Sequence, residues 1–214
     1  MSLNVFAEGH EVFQRAYFKK HEKELLDLAT KGQHPKALFI GCSDSRVIPD
    51  LMLQTDPGDL FVVRNVGNFV PPYKEDEDYH GTGAGIEYAV SVLNVKEIII
   101  CGHTHCGACK ALYEPIDNPA LVHVKKWLDL GEKAKSMAMI SIGKNANKEE
   151  LLRLTEKLSV VCQIENLLTY PFVKQKLNNE ELFIHGWYYN IETGDIDSYD
   201  PDSYEFVPLS EVTK

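Results

Sequence analysis

The sequence predicts an α/β protein whose mainly parallel central sheet is flanked by helices and preceded by an N-terminal helical arm. Two observations support this class. Short, continuous apolar runs alternate along the chain with longer segments of helical periodicity, as in proteins built from strand–helix–strand units. The apolar runs also lack polar alternation, which is typical of parallel strands buried on both faces.

The predicted strands follow one another in chain order. Residues 37–42, 60–63 and 97–101 are short apolar runs of the length expected for buried strands. Residues 182–186 form a fourth such run, and residues 195–199 are expected to add an edge strand to the sheet.

The N-terminal segment has a different character. Residues 10–30 place apolar side chains at helical spacing between lysines and glutamates, and Gly32 ends this helix. We therefore expect residues 1–30 to form a helical arm and residues 31–214 to form one catalytic domain.

Three more helices are predicted, over residues 86–93, 121–130 and 148–168. The last begins at a capping box formed by Asn147 and Glu150. Its apolar side chains fall on one stripe: Leu151, Leu154, Leu158, Val161 and Leu168.

Composition limits the classes of function. The chain has 214 residues and a net charge of −10, which argues against nucleic acid or an anionic membrane as a partner. Neither an apolar run long enough to span a bilayer nor a secretory signal is visible, so a cytoplasmic location is expected. The five cysteines are an odd number in a chain of this size, which favours a metal role over a disulfide framework.

Two short motifs carry the chemistry. Residues 42–46, Cys-Ser-Asp-Ser-Arg, end the first predicted strand, and residues 103–106, His-Thr-His-Cys, follow the third. The carboxyl ends of adjacent parallel strands are where α/β proteins bind ligands, so these motifs are expected to meet. Zinc prefers Cys and His ligands, and a set of Cys42, His103 and Cys106 would leave its fourth position open for water, as in catalytic sites.

Asp44 and Arg46 allow two arrangements. A bidentate salt bridge would keep the carboxylate ionised, so that it could accept a hydrogen bond from water on the metal. Alternatively, Asp44 could rotate onto the metal as a fourth ligand and close the site. His105 could also serve as a ligand in place of His103.

Five segments carry a resemblance to a known family: residues 40–47, 61–66, 87–90, 98–107 and 184–187. In this order, they resemble the motifs of β-class carbonic anhydrases, over roughly residues 30–200. The resemblance implies a lyase with one zinc ion per chain that converts CO2 and water to bicarbonate and a proton through zinc-bound hydroxide. It also implies that Cys42, His103 and Cys106 are the zinc ligands and that Asp44 and Arg46 are a catalytic dyad.

The resemblance extends to a branch of that class. The plant-like, open-site branch binds substrate through residues matched here by Gln33, Phe61, Val66, Tyr88 and Gly107. The other branch has an inhibitory bicarbonate site built from a Trp, an Arg and a Tyr. This chain has Arg64 and Tyr189 but carries Phe39 at the Trp position, so we expect an open, non-cooperative enzyme.

The resemblance implies an arm that embraces a partner subunit, hence a homodimer or a higher even oligomer such as a homotetramer. Two other functions compete with the enzyme. Cys106 and Cys109 form a C-x-x-C motif at a predicted helix start, as in thiol redox proteins. A non-catalytic zinc-stabilised binding module would instead use Asp44 as a permanent fourth ligand.

Overall fold

The computed structural model describes residues 4–76, 78–143 and 146–212, and a six-stranded sheet forms its centre. The sheet order is β2-β1-β3-β4-β5-β6, with the first four of these strands parallel and the last two antiparallel. The strands are β1 (Ala37–Cys42), β2 (Leu60–Asn65), β3 (Glu97–His103), β4 (Phe183–Tyr189), β5 (Ile196–Asp200) and β6 (Glu205–Pro208).

This topology confirms the predicted fold class and corrects one strand. The segment predicted as an edge strand, β5, lies between β4 and β6, because β6 pairs along its outer side. The sequence analysis missed β6, which is only four residues long and contains Pro208.

The N-terminal arm is broken rather than continuous. It consists of α1 (Asn4–Val12), a π-helical segment (Phe13–Phe18) and α2 (Glu22–Lys31), and its residues 1–3 lie outside the described residues. The helix predicted over residues 10–30 breaks at His21, whose φ of −108° is not helical. The His21 ring stacks on Tyr17, with ring centroids 4.4 Å apart, and its Nδ1 lies 3.2 Å from Glu24.

The other helices surround the sheet. The predicted helix 86–93 starts earlier, as α4, and continues as a π-helical turn through Tyr88–Val92. Within the described ranges, each helix is too short or too polar to cross a lipid bilayer. The helices are α3 (Pro49–Leu53), α4 (Gly81–Glu87), α5 (Gly107–Ala111), α6 (Val122–Leu128), α7 (Glu132–Ser141), α8 (Lys148–Leu167), α9 (Pro171–Asn178) and α10 (Leu209–Val212).

The core lies on both faces of the central strands. On one face, Leu38 and Ile40 of β1 join Ile98 and Ile100 of β3 in a large apolar cluster. The alternate residues of these strands pack in a second cluster on the other face. Every residue of β1 and all but the first of β3 are buried, as their continuous apolar sequence predicts.

Helix α8 packs directly against two neighbouring strands at positions where each carries a glycine. A Cβ atom at Gly102 of β3 would lie 2.6 Å from Cγ2 of Val160. A Cβ at Gly186 of β4 would lie 2.7 Å from Cδ1 of Ile164. Only residues without a side chain allow this helix–sheet distance.

The sequence analysis found the start of α8 but not its buried face. The predicted capping box is confirmed, because Asn147 accepts from the Glu150 backbone and the Glu150 side chain accepts from the Asn147 backbone. The stripe of leucines and valine is only partly buried. Four polar residues of α8 are instead among its most buried: Thr155, Glu156, Ser159 and Gln163.

Candidate metal centre

Three potential ligands converge at the carboxyl edge of the sheet. Cys42 ends β1, His103 ends the adjacent strand β3, and Cys106 follows three residues later. Their ligand atoms all lie within 4.8 Å of one another, and all three residues are buried. The parallel pairing of β1 with β3 therefore brings together donors that are far apart in sequence.

His103 is oriented for metal binding. Its Nδ1–H donates to the Thr104 carbonyl at 2.8 Å, so in the neutral ring the free lone pair is on Nε2. Nε2 is buried and has no hydrogen-bond partner among the described residues. Buried polar atoms normally have partners, so this orphaned lone pair beside two thiols fits a metal ion.

Burial and hydrogen bonding raise the pKa values of the two thiols. A hydrogen bond with the Cys106 thiol, together with burial, raises the pKa of Cys42 to about 12. A hydrogen bond with the Cys109 thiol and burial raise the pKa of Cys106 as well. A soft divalent cation such as zinc would replace the thiol protons. Raised pKa values and burial are the opposite of what a reactive redox thiol needs, so the site does not favour the redox alternative.

Asp44 and Arg46 form the bidentate pair that their spacing allows. Arg46 Nε donates to Asp44 Oδ1 at 2.9 Å, and Nη2 donates to Oδ2 at 2.8 Å. The Arg46 backbone N–H also donates to Oδ1 at 3.0 Å. These bonds from Arg46 hold the pKa of Asp44 well below its usual range. Arg46 thus engages both carboxylate oxygens, and Asp44 is not one of the three clustered donors.

Two arginines bind backbone carbonyls of the motif loops. Arg64 donates from Nε to the Cys42 carbonyl at 3.0 Å and from Nη2 to the Asp44 carbonyl at 2.6 Å. Arg46 Nη2 donates to the His105 carbonyl at 3.2 Å. The sequence analysis assigned Arg64 only to a possible regulatory site, because its bonds to the loop carbonyls depend on the pairing of β2 with β1.

His105 is not a member of the donor cluster. Its Nδ1 accepts from Arg153 Nη2 at 3.4 Å, and its Nε2 lies 3.3 Å from Glu192. Both ring nitrogens therefore have partners outside the cluster. This geometry favours His103 over His105 as the ligand.

Two of the predicted substrate residues lie beside the cluster. Gly107 follows Cys106 directly, and Val66 follows Asn65, which pairs with Cys42 in the sheet register. Val66 also borders an apolar cavity of about 390 Å³ and accepts a hydrogen bond at its carbonyl from Trp127 Nε1 at 2.7 Å. The sequence analysis missed Trp127, since its place in a predicted helix offered no signal. The cavity is lined by Ser43, Asn65, Val66, His123, Val124 and Trp127.

The other three predicted substrate residues lie elsewhere within one chain. Phe61 pairs with Leu38, four residues before the cluster end of the strand, a distance of about 13 Å. Its ring stacks on Tyr88, with centroids 5.8 Å apart. Gln33 is exposed and precedes the amino end of β1, whereas Cys42 lies at the carboxyl end.

The chain is similar to known carbonic anhydrases over nearly its whole length. The family described as carbonic anhydrase matches residues 37–196. A carbonic anhydrase of Pseudomonas aeruginosa is 43% identical over 204 residues, covering 95% of this chain and 90% of the relative. One from Synechocystis is 39% identical, covering 96% of this chain and 74% of the relative.

Solved structures agree with these relatives. The β-carbonic anhydrase CcaA superposes with a TM-score of 0.88 at 38% identity, covering 96% of this chain and 91% of that chain. One of two tetrameric β-carbonic anhydrases described from Sordaria macrospora gives 0.79 at 29% identity, covering 91% of this chain and 96% of its own.

Proposed function

The chain belongs to the β class of the carbonic anhydrase family, and we propose that it hydrates CO2 with one zinc ion held by Cys42, His103 and Cys106. The observation that carries this proposal is the orphaned Nε2 of His103 between two buried thiols. These are the nitrogen and sulfur donors that zinc prefers, and three of them leave one coordination position free.

Each residue of the site then has a defined task. Zinc, when bound, supplies a Lewis acid that lets water act as a nucleophile at neutral pH. Asp44 accepts a hydrogen bond from the attacking water and so directs the oxygen lone pair towards CO2. Arg46 holds the carboxylate ionised and in place through its two side-chain bonds.

The CO2 slot requires apolar surface, and we propose that two chains build it. Val66 and Gly107 lie beside the donors of their own chain, whereas Phe61, Tyr88 and Gln33 do not. A second copy packed on the β2 edge could supply those three side chains, with residues 1–30 as the arm that holds it. The exposed apolar side chains of α1, such as Phe6, and exposed Val62 of β2 support such an interface. The homodimer or higher even oligomer expected from the resemblance follows from this arrangement.

We further propose that the enzyme belongs to the open-site branch and works in the cytoplasm. Arg46 holds both oxygens of Asp44, and Phe39 is fully buried and lacks the indole donor that the inhibitory site needs. All five cysteines are free and buried, which suits a reducing compartment.

The test is stopped-flow CO2 hydration across about pH 6.5 to about pH 9, before and after zinc removal, because the profile reports the essential acid and base groups. Rapid zinc-dependent hydration that persists near neutral pH is the expected result. Activity confined to high pH would contradict the open-site proposal and retain the enzyme. A zinc-loaded sample without activity at any pH would contradict the proposed mechanism.

A further inference from the structure

A buried carboxylate lies directly behind the candidate metal centre. Glu156, on α8, is only 2% exposed. Its Oε1 accepts from the backbone N–H of Cys106 at 2.9 Å. Its Oε2 accepts from the Tyr188 hydroxyl at 2.7 Å. Each oxygen thus has a well-formed bond, one of them to a residue of the donor cluster.

The carboxylate also forms an ion pair with Arg153, without a hydrogen bond between the two side chains. Arg153 Nε lies 3.3 Å from Glu156 Oε2, but Nε and Nη1 of Arg153 make no hydrogen bond with any described residue. Desolvation by burial raises the pKa of Glu156. The carboxylate therefore makes its hydrogen bonds to Cys106 and Tyr188. A buried charge at this position costs stability that an apolar residue would not cost.

The loop that carries Cys106 depends on such bonds. His105 has a left-handed φ of 58°, which is unfavourable for a residue with a side chain, and Cys106 itself is non-helical before the short helix α5. The bond from the Cys106 N–H to Glu156 prevents a buried, unpaired donor at this turn. Without an acceptor at Glu156, this turn would not hold the Cys106 sulfur at its present position.

The same helix reaches the other motif loop. Arg153 Nη2 donates to His105 Nδ1 at 3.4 Å, and the His105 carbonyl accepts from Arg46 at 3.2 Å. One turn of α8 thus contacts the backbone of Cys106 and, through His105, the arginine that holds Asp44.

We propose that Glu156 is a positioning residue of the metal centre: its bond to the Cys106 backbone fixes this ligand in the geometry that zinc requires. The inference rests on the proposed function, since it assumes that Cys106 binds zinc. Groups that orient metal ligands typically change metal affinity by about 10–100-fold when they are lost, and we expect a loss of that size for Glu156→Leu, which removes the acceptor.

The test measures metal binding directly, on the chain stripped of metal. Zinc affinity is determined by equilibrium competition with a chromophoric chelator for the wild type, Glu156→Leu and the control Tyr188→Phe. The control removes the other hydrogen bond of the same carboxylate and leaves the bond to Cys106. Cobalt(II) absorption, which reports thiolate ligation, is recorded for all three proteins.

The expected result is a zinc affinity weaker by about 10–100-fold and an altered cobalt spectrum for Glu156→Leu, with both nearly unchanged for Tyr188→Phe. Equal affinities for Glu156→Leu and the wild type, or equal losses in the two variants, would overturn the inference while leaving the proposed function intact. A wild type that binds no zinc would overturn both. If Glu156→Leu does not fold, Glu156→Asp decides, because it keeps the charge but is too short to reach Cys106.

Discussion

Adding one methyl group at Gly102 is expected to destabilise the protein by pushing α8 away from β3. The new Cβ would lie 2.6 Å from Cγ2 of Val160, about 1 Å closer than an ordinary carbon–carbon contact. Val160 is fully buried, and its β-branched side chain has few rotamers in a helix. The neighbouring backbone atoms, the carbonyl oxygens of Glu156 and Trp187, are at ordinary contact distances of 3.6 and 3.9 Å.

The magnitude follows from this single overlap. Overpacking a buried site by one methyl group typically costs about 1–3 kcal/mol of unfolding free energy. For a chain of this length each kcal/mol lowers Tm by about 2–4 °C, so Gly102→Ala should lower Tm by about 2–12 °C. Zinc affinity should fall as well, since Glu156 lies one turn before Val160 on the same helix.

Denaturant unfolding of a double-mutant cycle separates the overlap from other effects. Val160→Ala removes the atom that Gly102→Ala would meet, so the double variant should be more stable than the two single losses predict, by about 0.5–3 kcal/mol. Gly81→Ala is the matched control, because a Cβ there meets nothing within 4 Å, and its stability should stay within about 0.5 kcal/mol of the wild type. Strictly additive losses, or a Gly102→Ala protein as stable as the wild type, would refute the reasoning.

Three other predictions concern the site itself. Asp44→Asn should lower the hydration rate by about 100-fold or more at unchanged zinc content, because the amide can present a donor where the water needs an acceptor. The control is Asp50→Asn, at an exposed position on α3. A fully active Asp44→Asn enzyme would exclude the acceptor role. Zinc affinity should rise with pH by up to about 100-fold per pH unit near neutrality, because both thiols must lose their protons to bind the metal. The pKa of Cys42, for example, is raised to about 12. Calorimetry in two buffers should find two protons released per zinc, and none released would contradict the thiol assignment. Cys109→Ser should leave hydration nearly unchanged, whereas abolished activity would favour the thiol redox interpretation.

The sequence predicted the structure correctly where a continuous apolar run forms a strand that is buried on both faces. Residues 37–42 and 97–101 are continuous apolar runs, and both form strands buried on both faces. Because parallel strands present their carboxyl ends at one edge, the positions of Cys42 and His103 after these runs were enough to predict that they meet.

Long-range partners explain what the sequence analysis missed. Glu156 bonds Cys106, 50 positions away, and Gln163 bonds Val70, 93 positions away, so helical periodicity alone did not reveal the buried polar face of α8. The break at His21 has neither glycine nor proline to mark it, and the His21 ring stacks on Tyr17 there. The placement of Phe61 and Tyr88 away from the donors of their own chain could not be predicted, because a family resemblance names residues without giving their positions in the fold.

The burial of the donor atoms has a consequence for metal exchange. Cys42 and His103 terminate the two central strands, which are buried along nearly their whole length. A large displacement of either residue requires fraying of a central strand, which costs more free energy than the motion of a surface loop. A metal held there would leave more slowly than one bound by loop residues alone. Its occupancy would then follow changes in the zinc level of its surroundings with a delay.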